Sequence, residues 1–318
     1  MRIFGSILIL QLIFCSVAVA QEPYKTQRKA YGAPDLEGIW TNITATPLQR
    51  PPAFDSLTTT EVQAAEFERA SVDSFLNDNK DGVGGRQSEW WEVGQQMTRI
   101  NGEIRTSVIV DPANGRMPYT AAGQAMLEAR MKAEDGNFDG PEVRPPDERC
   151  LVGGSGTTGA PIFTARYNGQ YQIIQSPDVV VIAIENGGQI RMIRLREDRH
   201  PPPDVRLWMG HSIGRWEGDT LVVETTNFMP GDGLKHPQPI FITDRAKITE
   251  RFTRISPTAI SYQYSVEDPD LFSQTWRGEQ LFSATANRMF EYACHEGNYA
   301  MPNILRGARH RESTARAK

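Results

Sequence analysis

From about residue 165 the chain becomes a succession of short runs rich in Val, Ile, Thr, Tyr and Phe, set apart by turn residues. The runs are YQIIQ, VVVIAIE, QIRMIRL, GRWEGDTLVVETTNF, FITDRAKITERFTRI, AISYQYSVE, TWRGEQLFSA and MFEYACHE. Between them stand Asn186-Gly187-Gly188, Glu217-Gly218-Asp219, Ser256-Pro257-Thr258 and Asp268-Pro269. Several runs alternate. In AKITERFTRI, period two puts Ile248, Glu250, Phe252 and Arg254 on one face and Thr249, Arg251, Thr253 and Ile255 on the other. Short strands at this spacing predict a mainly β fold, an antiparallel meander closed into a barrel or packed as a sandwich. No internal repeat is strong enough to suggest a propeller.

The first half reads differently. Residues 21–34 are polar and without periodicity, which predicts a flexible arm. A single β-rich domain then spans 35–305, with a helical insertion near 58–135. Gly38-Ile39-Trp40 fits a first strand whose Trp turns into a core. Thr58 and Glu61 have capping-box spacing ahead of a first peripheral helix, and Thr120 caps a second, TAAGQAMLEARMK. The loop DNKDGVGG ends the first helix. The adjacent Trp90 and Trp91 are open to a core or a ligand role. The last residues, 306–318, form a basic, Ala-containing tail that reads as a frayed end.

The N-terminus bears on compartment. Arg2 precedes an apolar run from Ile3 to about Val17, and Ala18, Val19 and Ala20 fit an A-x-A cleavage site before Gln21. Residues 1–20 thus read as a signal peptide, which places the mature protein in a periplasm or outside the cell. With Cys15 removed, Cys150 and Cys294 remain, and an oxidising compartment predicts one bridge between them. It would close a loop of roughly 144 residues, worth at most ~5 kcal/mol in the chain-entropy view. Two buried thiols, or metal ligation by Cys294 with His295, are the alternatives. The net charge of −5 and the lack of a basic stripe argue against nucleic acid. No second apolar run is long enough for a membrane span.

The strings DLEGIWTN, VDPANGRMP, ERCL, RYNGQYQIIQ, GRWEGDTLVVETTNF, ERFTRI and EYACHEGNY resemble a group of secreted bacterial proteins. That resemblance covers nearly all of the mature chain and implies no reaction. A second resemblance, through Gly38-Ile39-Trp40 and the meander after it, is to lipocalin-like (calycin-type) barrels. It implies an up-and-down barrel able to hold one small ligand. The long insertion after Trp40 departs from that pattern.

Two polar clusters carry the candidate chemistry. The first is EYACHEGNY, where His295 and Glu296 pair a proton carrier with a carboxylate. HEGNY starts like a zinc-protease motif, but Tyr299 stands where the second His is needed, so no metal site is expected. The second is HPPPDVRLWMGHSIGRWEGD, with His200, Arg206, Trp208, His211, Arg215, Trp216, Glu217 and Asp219. His211, His295 and Glu296 are the catalytic candidates. Trp208, Arg215, Asn298 and Tyr299 are the candidate ligand contacts. A shared cavity for His211 and His295 is expected, since both sit beside a glycine at a strand end. The loop GGSGTTGAP lacks the features of a P-loop or an esterase elbow. No cofactor is expected, and assembly state is open. The favoured function is binding a small, partly apolar molecule. The alternatives are a cofactor-independent hydrolase, lyase or isomerase, and an interaction module without a pocket.

Overall fold

The computed structural model describes residues 24–77, 92, 94–134, 137–154, 159–164, 166–229 and 240–317. The expected signal peptide and cleavage site, Trp90, Trp91, most of the loop after the first helix and residues 155–158 lie outside these. Nine strands close a barrel. In barrel order they are β1 (Gly38–Thr41), β6 (Gln170–Gln175), β7 (Val179–Ile184), β8 (Gln189–Arg194), β9 (His211–Glu217), β10 (Thr220–Thr226), β11 (Lys247–Ser256), β12 (Ala259–Glu267) and β13 (Trp276–Ala284). Trp40 opposite Ala284 seals the ring.

The meander holds except at one joint. Strand directions cannot alternate all the way round a ring with an odd number of strands, so at least one pair must be parallel. That pair is β8–β9, with Ile193 opposite Ser212. Parallel neighbours cannot be joined by a hairpin. Residues 195–210 therefore cross over along the outside before β9 begins. This corrects the all-antiparallel meander and places the Pro-rich segment on the barrel wall.

Alternation sorts the side chains as the sequence suggests. Leu221, Val223 and Thr225 point inward from β10, and Ile248, Glu250 and Phe252 do so from β11. Glu250 is matched inside by Arg191, which also donates to Thr225 and Ser212, while the Tyr262 hydroxyl donates to Glu250 at 2.7 Å. Residues 159–164 enter the barrel. The Ile162 amide donates to the Tyr262 oxygen at 2.8 Å, and Gln280 Nε2 donates to the Ile162 carbonyl at 2.7 Å. Trp40 is buried, its indole N–H donating to the Leu36 carbonyl at 3.1 Å beneath the Arg254 guanidinium. Gly38, at φ +145°, makes room for that indole: a Cβ there would sit 3.2 Å from Trp40 Nε1.

The arm is not loose from Tyr24 onward. Thr26 donates to the Arg254 carbonyl, Arg28 pairs with Asp219, and Gln175 Nε2 donates to the Pro34 carbonyl. Side-chain and backbone groups of the arm thus bond to the barrel. The insertion holds a small sheet of β2 (Thr58–Thr59), β3 (Arg99–Ile100) and β4 (Glu103–Arg105), with helices α1 (Glu61–Asn77) and α2 (Ala121–Glu134). β5 (Ile109–Asp111) adds to the outside of β13. Thr58 lies in a strand, so the cap of α1 falls two residues later: Thr60 Oγ1 accepts from the Gln63 amide. Thr120 Oγ1 accepts from the Gly123 amide, as read.

The basic tail is the other correction. It belongs to a third helix, α3 (Ala300–Arg316). Alanines favour the helix, and Arg309 ties it back by donating to the Phe138 carbonyl at 2.7 Å. The Cys150–Cys294 disulfide, with Cα atoms 5.7 Å apart, anchors the segment before α3.

Candidate functional site

The parallel joint creates the site. β9 turns Ser212 inward, toward Arg191, so its neighbour His211 faces out. There the crossover passes over it. Three prolines, Pro201–Pro203, stiffen the crossover, and Asn227 clamps it from the end of β10. Asn227 Nδ2 donates to the carbonyls of Pro202 and Val205 at 3.0 and 2.9 Å. Asn227 does this at φ +60°, a left-handed conformation that Asn tolerates better than most residues.

Held this way, His200 on the crossover meets His211 edge to edge with ring planes at 82° and Nδ1 atoms 3.0 Å apart. Each ring has a carboxylate at its other nitrogen. His211 Nε2 is 3.1 Å from Glu197, and His200 Nε2 is 3.3 Å from Glu224 on β10. The four side chains form one line: Glu224, His200, His211, Glu197. Arg194 pairs with Glu197 at 3.1 Å. Burial, then the nearby Arg194 charge, hold the His211 pKa below its ordinary value. A depression of about 970 Å³ opens beside the line, walled by Arg194, Arg196, Arg199, the prolines, Val205 and Leu207. Val205 and Leu207 are 45% and 44% exposed. Such a surface offers apolar contact, cationic groups and a proton carrier together.

The other candidates fall elsewhere. His295 and Glu296 are exposed, and neither lines this groove nor bonds to His211. The shared cavity for His211 and His295 is thus not formed: the partners of His211 come from the crossover folded over it. Arg215 faces out from β9 in a surface cluster with Glu217, which also pairs with Arg251. Trp208 is half-buried and outside the groove wall. Asn298 serves structure, donating to Cys150 Sγ and accepting from the Ala300 amide at the start of α3. Tyr299, 73% exposed, is the N-cap residue of that helix. A second depression, of about 450 Å³, adjoins the disulfide and is walled in part by Tyr167, Tyr292, Glu291 and Asn298. The partners the sequence left unassigned are His200, Glu197 and Glu224. His200 and His211 stand 11 residues apart with no motif spacing, and only the crossover brings them together.

No protein-family model matches the chain, and no curated protein matches it in sequence. The site is therefore read from its own geometry. Among the described residues, no three His, Cys, Asp or Glu side chains are grouped to hold a metal ion. Nor is any described helix long and apolar enough to cross a membrane.

Proposed function

We propose that this is an exported protein that binds a small, partly apolar molecule in the crossover groove, on the outside of the barrel. The observation that carries this reading is the exposure of Val205 and Leu207 within one concavity that also holds Arg199 and the paired histidines. Arg199 has no ion-pair partner among the described residues, so a cation is free to meet a polar or anionic head group. The groove is favoured over the barrel interior because residues 159–164 already thread that interior and bond to its inward-facing side chains. The disulfide fits an oxidising compartment. The lipocalin-type likeness would then be one of scaffold, with the ligand displaced to the wall.

The test uses 1-anilinonaphthalene-8-sulfonate, an apolar anion whose fluorescence rises on binding. The native protein should bind it saturably at one site. Leu207→Glu should weaken binding by about tenfold, about 1.4 kcal/mol. Ile174→Glu, at an equally exposed apolar position on the outer face of β6, should leave it unchanged. Absence of saturable binding, or equal losses in both variants, would overturn the reading.

The line of two imidazoles between two carboxylates favours a second reading, acid–base catalysis on the bound molecule without a cofactor. It keeps His211 in the site and replaces His295 and Glu296 with His200, Glu197 and Glu224.

A further inference from the structure

The protons in this line can be counted. Three gaps in the line call for a proton and two neutral rings carry two, so the longest, His200 Nε2 to Glu224 at 3.3 Å, goes without; carboxylates at neutral pH only accept, so the shorter contact with Glu197 puts the proton of neutral His211 on Nε2. Its Nδ1 is then a bare acceptor. The facing Nδ1 atoms, 3.0 Å apart, need one proton between them, and that proton must belong to His200. Neutral His200 is thereby held as the Nδ1–H tautomer, with its lone pair on Nε2. Which nitrogen of a histidine is protonated is set by the hydrogen bond its other nitrogen makes. Here His211 makes it.

The geometry favours a proton over a metal ion between the rings. The ring centroids are 5.3 Å apart. A five-membered ring with ~1.33 Å bonds has a radius of ~1.1 Å. Two such radii and the 3.0 Å gap account for the whole separation, so both nitrogens lie on the line of centres. A linear N–H···N bond has that shape. A metal at ~2.0–2.1 Å from each nitrogen would need either bent lone pairs or a wider gap.

We propose that His200 Nε2 is the acid–base atom of the groove, and that His211 and Glu197 are positioning residues that hold it in the working tautomer. This deepens the groove reading and rests on it for a substrate. That substrate is a small molecule with a weakly acidic O–H or C–H. His200 Nε2 forms an N–H bond with its proton, the bonding electron pair stays on the substrate, and the charge gained by His200 is met by Glu224. The contact of His200 with Glu224, at 3.3 Å, is the longest in the line and the easiest to displace. The charged groups around the pair are Arg194 from β8, Glu224 from β10, and Glu197, Asp198 and Arg199 from the crossover. Burial, then the Arg194 charge, oppose charge on His211.

Long-range ¹H–¹⁵N spectra of the histidine-labelled full mature protein, without ligand, test this. At about pH 8, His200 should be the Nδ1–H tautomer and His211 the Nε2–H tautomer. His211→Phe should return His200 to the Nε2–H form, a change that loss of packing alone would not produce. If that variant does not fold, the native spectra decide. An Nε2–H tautomer at His200 in the native protein overturns the proposal. Because no ligand enters the measurement, it fails or stands separately from the dye test of the groove.

Discussion

Arg191 and Glu250 face each other inside the barrel, with side chains 2% and 0% exposed. Taking both charges out of water is costly, and their mutual attraction with the Tyr262, Thr225 and Ser212 hydroxyls offsets that cost. Removing one partner leaves the other charge uncompensated. Arg191→Met should therefore destabilise by about 3–5 kcal/mol in urea denaturation. Adding Glu250→Gln should restore much of the loss; a double variant as unstable as the single one would contradict this account. His211 gives a pH signature. Its folded pKa lies below 6.5, its ordinary value, so the unfolded chain takes up the proton first as pH falls. Its contribution is thus complete above about pH 6.5 and is lost as pH falls toward the depressed folded value. His211→Gln should remove this part of the stability–pH profile and leave the alkaline side flat by comparison.

The element that defines the site is the 195–210 crossover, and one side-chain amide clamps its middle. Asn227 satisfies the carbonyls of Pro202 and Val205, and its backbone carbonyl accepts from the Leu207 amide at 3.0 Å. The crossover is held also by Leu195 and Met209 against the core, by the Met229 amide donating to the Leu207 carbonyl, by Arg196 with Asp178 and Arg206 with Asp244, and by the histidine line. Asn227→Ala keeps the backbone bond and loses the side-chain clamp. It should cost about 1–3 kcal/mol. It should also speed hydrogen exchange at Val205, Leu207 and Gly210 more than at strands β11–β13. Uniform acceleration across the barrel would mean that the clamp serves global stability, with no particular hold on the crossover.

At the scale of the whole molecule, the disulfide joins residues 144 apart in sequence. It ties the segment leading into α3 to the loop that precedes residues 159–164. Since α3 is held otherwise by Arg309, Arg311 over Phe138, and little buried apolar surface, the bridge is its main tether. Replacing Cys150 and Cys294 by Ser should lower stability by about 2–4 kcal/mol. Limited proteolysis should then cut first between residues 285 and 317, while the barrel persists. Equal protease resistance with and without the bridge would show that α3 docks independently.

The β-rich texture, the alternating faces of β11, the inward Trp40, the cap at Thr120 and the cysteine pair were legible in the sequence. Each rests on simple physics: period two, a hydroxyl three residues ahead of a free amide, or two cysteines left to pair once the expected signal peptide is set aside. A closed barrel was one of the two architectures the sequence allowed; the way it closes was not legible, because strand number and the direction of each joint depend on all strands together. From that closure came the parallel β8–β9 pair, and from the parallel pair the external crossover. The Glu224–His200–His211–Glu197 line lies one step further on. Its members sit on the crossover and two strands and share no spacing that local sequence could reveal. The sequence by itself determined most of the barrel strands and the faces they bury, while MFEYACHE, read as a strand, is irregular chain that carries Cys294 to the bridge. Only the tertiary structure decided which histidine His211 would meet, because that contact exists where a closed ring forces the chain back across its own wall.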